Sequence, residues 1–221
     1  GCLTLIFIYD YNLELITILI MASLLCDLFD GYLARKTGSD GELGKQLDSL
    51  ADMISFGVVP GAIITKIGFS LDSPIFFLGF FVTLGSLYRL AKFNIEKPNL
   101  EYFTGLPTPA NALMILGIAW GIEEYDLFQG TSNDQTSVGS IFSIFFIATI
   151  ALSAYLMNSS LKILSFKSIP KHKKQLIMRI IYAIISVILL IIFKVTAFAF
   201  IIPLFILFSL IERKIFKFQE I

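Results

Sequence analysis

Residues 13–35 read LELITILIMASLLCDLFDGYLAR. The stretch is long enough to cross a bilayer, which takes about 20 residues of helix. No strand-like alternation interrupts it, and lipid offers the backbone no hydrogen-bond partner, so it reads as a helix. Yet it carries Asp27 and Asp30 towards one end. An Asp at the centre of a membrane helix costs about 2.5–3.5 kcal/mol, and less near the interface. Two of them on one apolar helix need a compensating interaction.

The rest of the chain supports the membrane reading. Of 221 residues, 56% are hydrophobic, 22 are Phe and 15% are charged, against about 25% charged in soluble domains. Mean hydropathy is +0.82. A soluble globule of this size lacks the interior to hide so much apolar surface. Disorder is excluded, and so is a strongly basic nucleic-acid binder, so no nucleic-acid partner is expected. Apolar runs fall at about 1–9, 13–34, 49–68, 75–95, 107–122, 140–160, 176–193 and 195–211. The expectation is an all-α, polytopic membrane helix bundle in one domain, 1–221, with about eight transmembrane helices. The first is read as truncated, because nine residues are too few to span. Cys2 and Cys26 lack CxxC spacing and indicate neither a disulfide framework nor a zinc site. The single His172 reads as a solvated loop residue.

The 17 basic and 17 acidic residues cancel, but they are not evenly spread. Connectors after the second, fourth, sixth and eighth runs carry fourteen of the Lys and Arg residues, from Arg35 to Lys217. Connectors after the odd-numbered runs carry only Lys66 and Lys194, among acids such as Asp10, Glu123 and Asp134. The remaining cation, Arg89, lies inside a run. The positive-inside rule then places every even-numbered end in the cytoplasm. The basic stretch Lys162 to Lys174 reads as a topology signal with attraction for anionic membrane lipid.

Asp27, Asp30, Asp48 and Asp52 break this pattern by sitting in or beside apolar helices. Asp27 and Asp30 are three apart and share a helical face; Asp48 and Asp52 are four apart on the next helix. Gly38, Ser39, Asp40 and Gly41 between them mark a tight turn. Two antiparallel helices then bring four carboxylates into one pocket at the cytoplasmic edge. Such a group repels itself unless protons or cations intervene. Oxygen-only ligands suit Mg²⁺ or Mn²⁺. A di-iron site would call for Glu-x-x-His pairs, and no His is placed to supply them. Gly31, Ala34 and Gly44 leave room beside the acids, and Arg35 adds a forked cation suited to phosphate oxygens. Helix caps or ion pairs with Arg35, Lys36 and Lys45 would explain any one of these acids, but not four at this spacing.

The pattern Asp27-x-x-Asp30-Gly31-x-x-Ala34-Arg35, eight residues, Gly44-x-x-x-Asp48-x-x-x-Asp52 resembles the signature of the CDP-alcohol phosphotransferase family, with every fixed position present. The resemblance implies that an alcohol hydroxyl attacks the β-phosphorus of a CDP-linked lipid and CMP leaves. It implies two divalent ions, Mg²⁺ or Mn²⁺, on Asp27, Asp30, Asp48 and Asp52, with Asp52 also the general base. It implies CDP-lipid contacts from Asp27, Gly31, Ala34, Arg35 and Gly44. Members often carry Ser or Thr six residues after the motif Arg. Here that position is Gly41, so Ser39 or a backbone N–H takes its place.

Three further segments resemble the phosphatidylserine synthase branch of that family: Asp52 to Pro60, Arg89-Leu-Ala-Lys92-Phe-Asn94, and Phe103-Thr-Gly105-Leu-Pro107-Thr-Pro109. Lys92 departs from the Arg usual there. The implied substrates are CDP-diacylglycerol and L-serine. Arg89 or Lys92 would receive the serine carboxylate and Asn94 its ammonium. Alternatively, Arg89 pairs with a metal-site acid and Lys92 reaches to the interface. Glycerol 3-phosphate or inositol phosphate as acceptor is the alternative within the family. From a different class, clustered intramembrane acids also suit a divalent-cation transporter, although these acids sit at one edge and no inverted repeat is visible. A homodimer and a prokaryotic cell membrane complete the expectation.

Overall fold

The computed structural model describes residues 1–37, 41–70, 74–95, 102–125, 137–164 and 173–216. Gly38, Ser39 and Asp40 of the expected turn, and 165–172 with His172, lie outside them. The described residues form nine α-helices: α1 (Cys2–Tyr9), α2 (Leu13–Thr37), α3 (Glu42–Asp52), α4 (Val59–Ser70), α5 (Leu78–Ile95), α6 (Thr108–Glu124), α7 (Ser137–Asn158), α8 (Lys173–Phe193) and α9 (Phe198–Phe216). A π-helix, Met53–Val58, joins α3 to α4. Two three-residue strands, β1 (Tyr102–Thr104) and β2 (Lys162–Leu164), pair antiparallel with Phe103 opposite Ile163. Helix thus dominates, as the apolar runs imply. The count of about eight transmembrane helices is not confirmed. α3 begins seven residues before the third apolar run and continues through the π-helix into α4 without a break.

α6 is the central element. Ala112, Leu116 and Ala119 on it are wholly buried, and it packs against α9, α4, α2 and the π-helix. The indole Nε1 of Trp120 donates to Thr17 Oγ1 of α2 at 2.8 Å. Ile16, Ile20, Ile63, Ile64, Val82 and Ile150 fill the interior around it. Equally large apolar residues point outward: Phe80, Phe81 and Leu84 on α5, and Ile177, Ile184 and Ile191 on α8. Helices apolar on every side belong in a core or in lipid.

Among the described residues, two runs are long and apolar enough to cross a membrane by length and composition, Glu42–Phe69 and Gln175–Glu212. The second has 38 residues, and an 18-residue window within it has mean hydropathy 2.9. As one straight helix it would reach about 57 Å, nearly twice a bilayer core. It does not stay straight. Lys194 adopts φ 47°, a left-handed conformation that ends α8, and α9 returns beside it. Arg179 near the start of the run meets Glu212 near its end at 3.3 Å.

α4 and α5 touch at glycine. A Cβ on Gly61 would strike the Thr83 hydroxyl and lie 2.7 Å from the Gly79 carbonyl oxygen. A Cβ on Gly79 would strike the Gly61 carbonyl and the Thr65 hydroxyl. Backbones this close leave no room for a side chain, the usual device by which membrane helices approach. Gly79→Leu is therefore expected to destabilise the fold by about 1–3 kcal/mol, the usual cost of overpacking. Thermal unfolding in detergent measures it, and an unshifted midpoint would contradict this seam.

Candidate active site

α2 carries Asp27 and Asp30 one turn apart, and α3 carries Asp48 and Asp52 one turn apart. α3 starts at Gly41, whose extended backbone (φ −79°, ψ 168°) redirects the chain. Glu42 in its first turn suits the positive end of the helix. Along α3, Leu43, Leu47 and Leu50 recur at helical spacing and are exposed. Asp48 and Asp52 fall on the opposite side of the helix.

The carboxylates of Asp27, Asp30 and Asp48 converge, with a ligand oxygen from each within 4.8 Å of the others. Asp27 is half-buried, while Asp30 and Asp48 are exposed. Asp52 lies outside that trio. It is half-buried at the last position of α3 and within Coulombic reach of all three acids. The structure thus brings three of the four predicted metal ligands into one cluster and sets the expected base beside it. Gly31 and Gly44 sit on the same two helices next to the acids. Ser39 lies outside the described residues, as do the side chains of Ala34 and Arg35.

Two devices fix α3, and neither is visible from spacing. The first is Asn94 at the end of α5. Ser49 Oγ donates to Asn94 Oδ1 at 3.0 Å, Asn94 Nδ2 donates to Gln46 Oε1 at 3.4 Å, and Lys45 Nζ donates to the Asn94 carbonyl at 2.5 Å. Asn94, expected to meet an acceptor ammonium, ties α5 to the helix that bears Asp48. The second device is the π-helix beginning directly after Asp52. Its wider i→i+5 turn re-aims the chain at that point, a feature frequent at functional sites.

Arg89 lies one turn and a half before Asn94 on α5. Its Nη1 donates to the carbonyls of Thr104 at 2.8 Å and Met157 at 2.7 Å. Those two backbone oxygens, neither an acceptor carboxylate nor a metal-site acid, are where this nitrogen goes. Gly105 makes the arrangement possible. It sits at φ 69°, and a Cβ there would lie 2.7 Å from Arg89 Nη1 and collide with the Met157 carbonyl. Gly105 N donates to Leu161 O at 2.8 Å, and Leu106 N donates to Leu156 O at 3.0 Å. The two motif segments around Arg89 and Gly105 are therefore one clamp between α5, α7 and the start of α6. Lys92, half-buried, stands one turn on along α5.

An all-oxygen donor set of this size and spacing fits a hard divalent cation, which completes its coordination with water or phosphate oxygens. The open side of the cluster at Asp30 and Asp48 leaves space for such ligands.

A family model described as CDP-alcohol phosphatidyltransferase matches residues 2–155. A CDP-diacylglycerol–serine O-phosphatidyltransferase of Saccharomyces cerevisiae is 38% identical over 118 residues, covering 49% of this chain and 42% of the yeast protein. One of the same description from Methanocaldococcus jannaschii is 40% identical over 107 residues, covering 48% of this chain and 51% of its own length. Another from Helicobacter pylori is 28% identical over 192 residues, covering 82% and 74%. The chain spans about half the length of the first two relatives.

Two outcomes test the geometry. Asp48→Asn is expected to weaken Mn²⁺ binding by at least about tenfold, the loss that even the outer partners of a metal site bring. Titration followed by electron paramagnetic resonance measures it. Arg89→Met, which offers no donor to either carbonyl, is expected to lose about 1–3 kcal/mol of stability through unpaired buried oxygens. An unchanged unfolding midpoint would remove the clamp.

Proposed function

The chain belongs to the CDP-alcohol phosphatidyltransferase family, and on that premise we propose that it transfers the phosphatidyl group of CDP-diacylglycerol to L-serine, releasing CMP and forming phosphatidylserine. The observation that carries this reading is the convergence of Asp27, Asp30 and Asp48 with Asp52 beside them. The descriptions of the relatives support serine as the acceptor.

In this reading Asp27, Asp30, Asp48 and Asp52 hold two divalent ions, Mg²⁺ or Mn²⁺. When bound, the ions neutralise the diphosphate and stabilise the attacking and leaving oxygens. Gly31, Ala34 and Gly44 leave the nucleotide room, while Arg35 and Ser39 grip its phosphates. Asp52 accepts the proton of the serine hydroxyl as the serine oxygen–phosphorus bond forms and the bond from that phosphorus to CMP breaks. Lys92 receives the serine carboxylate, while Arg89 and Asn94, committed to backbone carbonyls and to α3, hold the helix that carries it. The apolar helices cross a prokaryotic cell membrane eight times, with the acids at its cytoplasmic face. The same reading keeps the homodimer, whose test is the mass of the detergent-solubilised protein.

The decisive experiment supplies the purified protein with CDP-diacylglycerol, Mg²⁺ or Mn²⁺ and a panel of alcohols. CMP release with serine alone is expected. Release with glycerol 3-phosphate instead would keep the chemistry and remove serine, and no release together with metal flux into liposomes would favour transport. Asp52→Asn should bind CDP-diacylglycerol normally and lose at least about 100-fold in kcat, the lower bound for a general base. Retained turnover would move the base elsewhere.

A further inference from the structure

The rod that runs from α3 through the π-helix into α4 changes its surroundings along its length. α3 buries no residue. α4 is buried at 59–61, 63–64 and 67–68 and packs against α1, α5 and α6. The packed end of the rod is therefore α4, and Asp48 and Asp52 ride on the open end. At about 100° per residue, an unbroken α-helix would set Asp52 about 90° and Asp48 about 130° from the middle of the buried face of α4. The π-helix interrupts that count, because the Val59 N–H bonds to the Ile54 carbonyl five residues back. A turn closed this way takes up one residue more than an α-turn, which removes about 100° from the running angle. Both acids then fall within about 30° of the middle of that face.

The wide turn has a seat on α5. Thr83 Oγ1 donates to the Gly57 carbonyl at 3.3 Å. A Cβ on Gly57 would lie 3.0 Å from the Ser86 Cβ, inside the usual carbon–carbon separation of about 3.5–4.0 Å. The lack of a side chain at position 57 lets the turn lie against α5. We propose that the π-helix is a phase correction: the residue it absorbs turns Asp48 and Asp52 from the flank of the rod towards Asp27 and Asp30. That these acids hold metal rests on the proposed function, whereas the facing of α3 does not.

The test changes the number of residues in the turn. Deleting Ile54 removes the absorbed residue, so the segment closes as plain α-helix with the acids facing as before. Inserting one Ala after Ile54 adds about 100° and carries them off that face. The deletion variant is expected to bind Mn²⁺ as the original does, by electron paramagnetic resonance, and the insertion variant at least about tenfold more weakly. A second readout needs neither metal nor turnover. In a chain with Cys2→Ser and Cys26→Ser, a short thiol cross-linker should join Asp30→Cys to Asp48→Cys in the original and deletion backgrounds, and not in the insertion. Loss of the cross-link in the deletion variant, its failure to fold, or a cross-link kept in the insertion variant overturns the proposal. The expected cross-links without Mn²⁺ binding in any chain would uphold the phase correction and remove the metal.

Discussion

The carboxylates of Asp27, Asp30 and Asp48 hold oxygens within 4.8 Å of one another, and without a cation between them that geometry is repulsive. Neither helix would choose this arrangement for itself. α2 is otherwise an apolar helix, for which each Asp is a cost. α3 is amphipathic, with its leucines Leu43, Leu47 and Leu50 exposed and its acids turned the other way. The charge of a divalent ion held there would turn the repulsion into a shared set of bonds. The rest of the fold can be understood as holding two reluctant helices at that separation.

The holding is done from a distance along the chain. Ser49 is fixed by Asn94, 45 residues away. The end of α5 that supplies Asn94 is held in turn by Arg89, which reaches 15 residues to Thr104 and 68 residues to Met157. Gly105 must lack a side chain for that reach to exist. Behind Asp52 the π-helix is braced by Thr83 at Gly57. An error of position at the acids would thus have to pass through α5, α7 and α6, and all three are packed too tightly to yield by small amounts.

This division explains what could be read in advance. The acids were legible because their spacing is local: three and four residues put them on single helical faces whatever the tertiary fold does. The apolar runs were legible for the same reason, and each corresponds to a helix. α3 was legible through its acids, because the four-residue spacing of Asp48 and Asp52 sets them on one helix, while Glu42, Lys45 and Gln46 keep its first turns out of the apolar run. The π-helix had no signal, because nothing in Met53–Val58 distinguishes an i→i+5 turn from an ordinary one. Arg89 was marked as unusual by its apolar surroundings. Its partners are backbone carbonyls, which carry no sequence signature at all.

The hairpin of α8 and α9 bears on the same constraint. α9 packs along α6, the helix that backs the π-helix, so its register matters to the site. Glu212 is 2% exposed and its partner Arg179 is 16% exposed. A buried ion pair gains little net stability, because desolvating two charges offsets their attraction. What it does supply is discrimination. Sliding α9 by one residue along α8 would separate the pair and strand a carboxylate in an apolar setting, at a cost of about 3–5 kcal/mol. Apolar side chains alone, such as Phe205 and Phe208 against Tyr182, would tolerate that slip far better. The pair thus selects one register for α9, and through α6 one position for the backbone that follows Asp52.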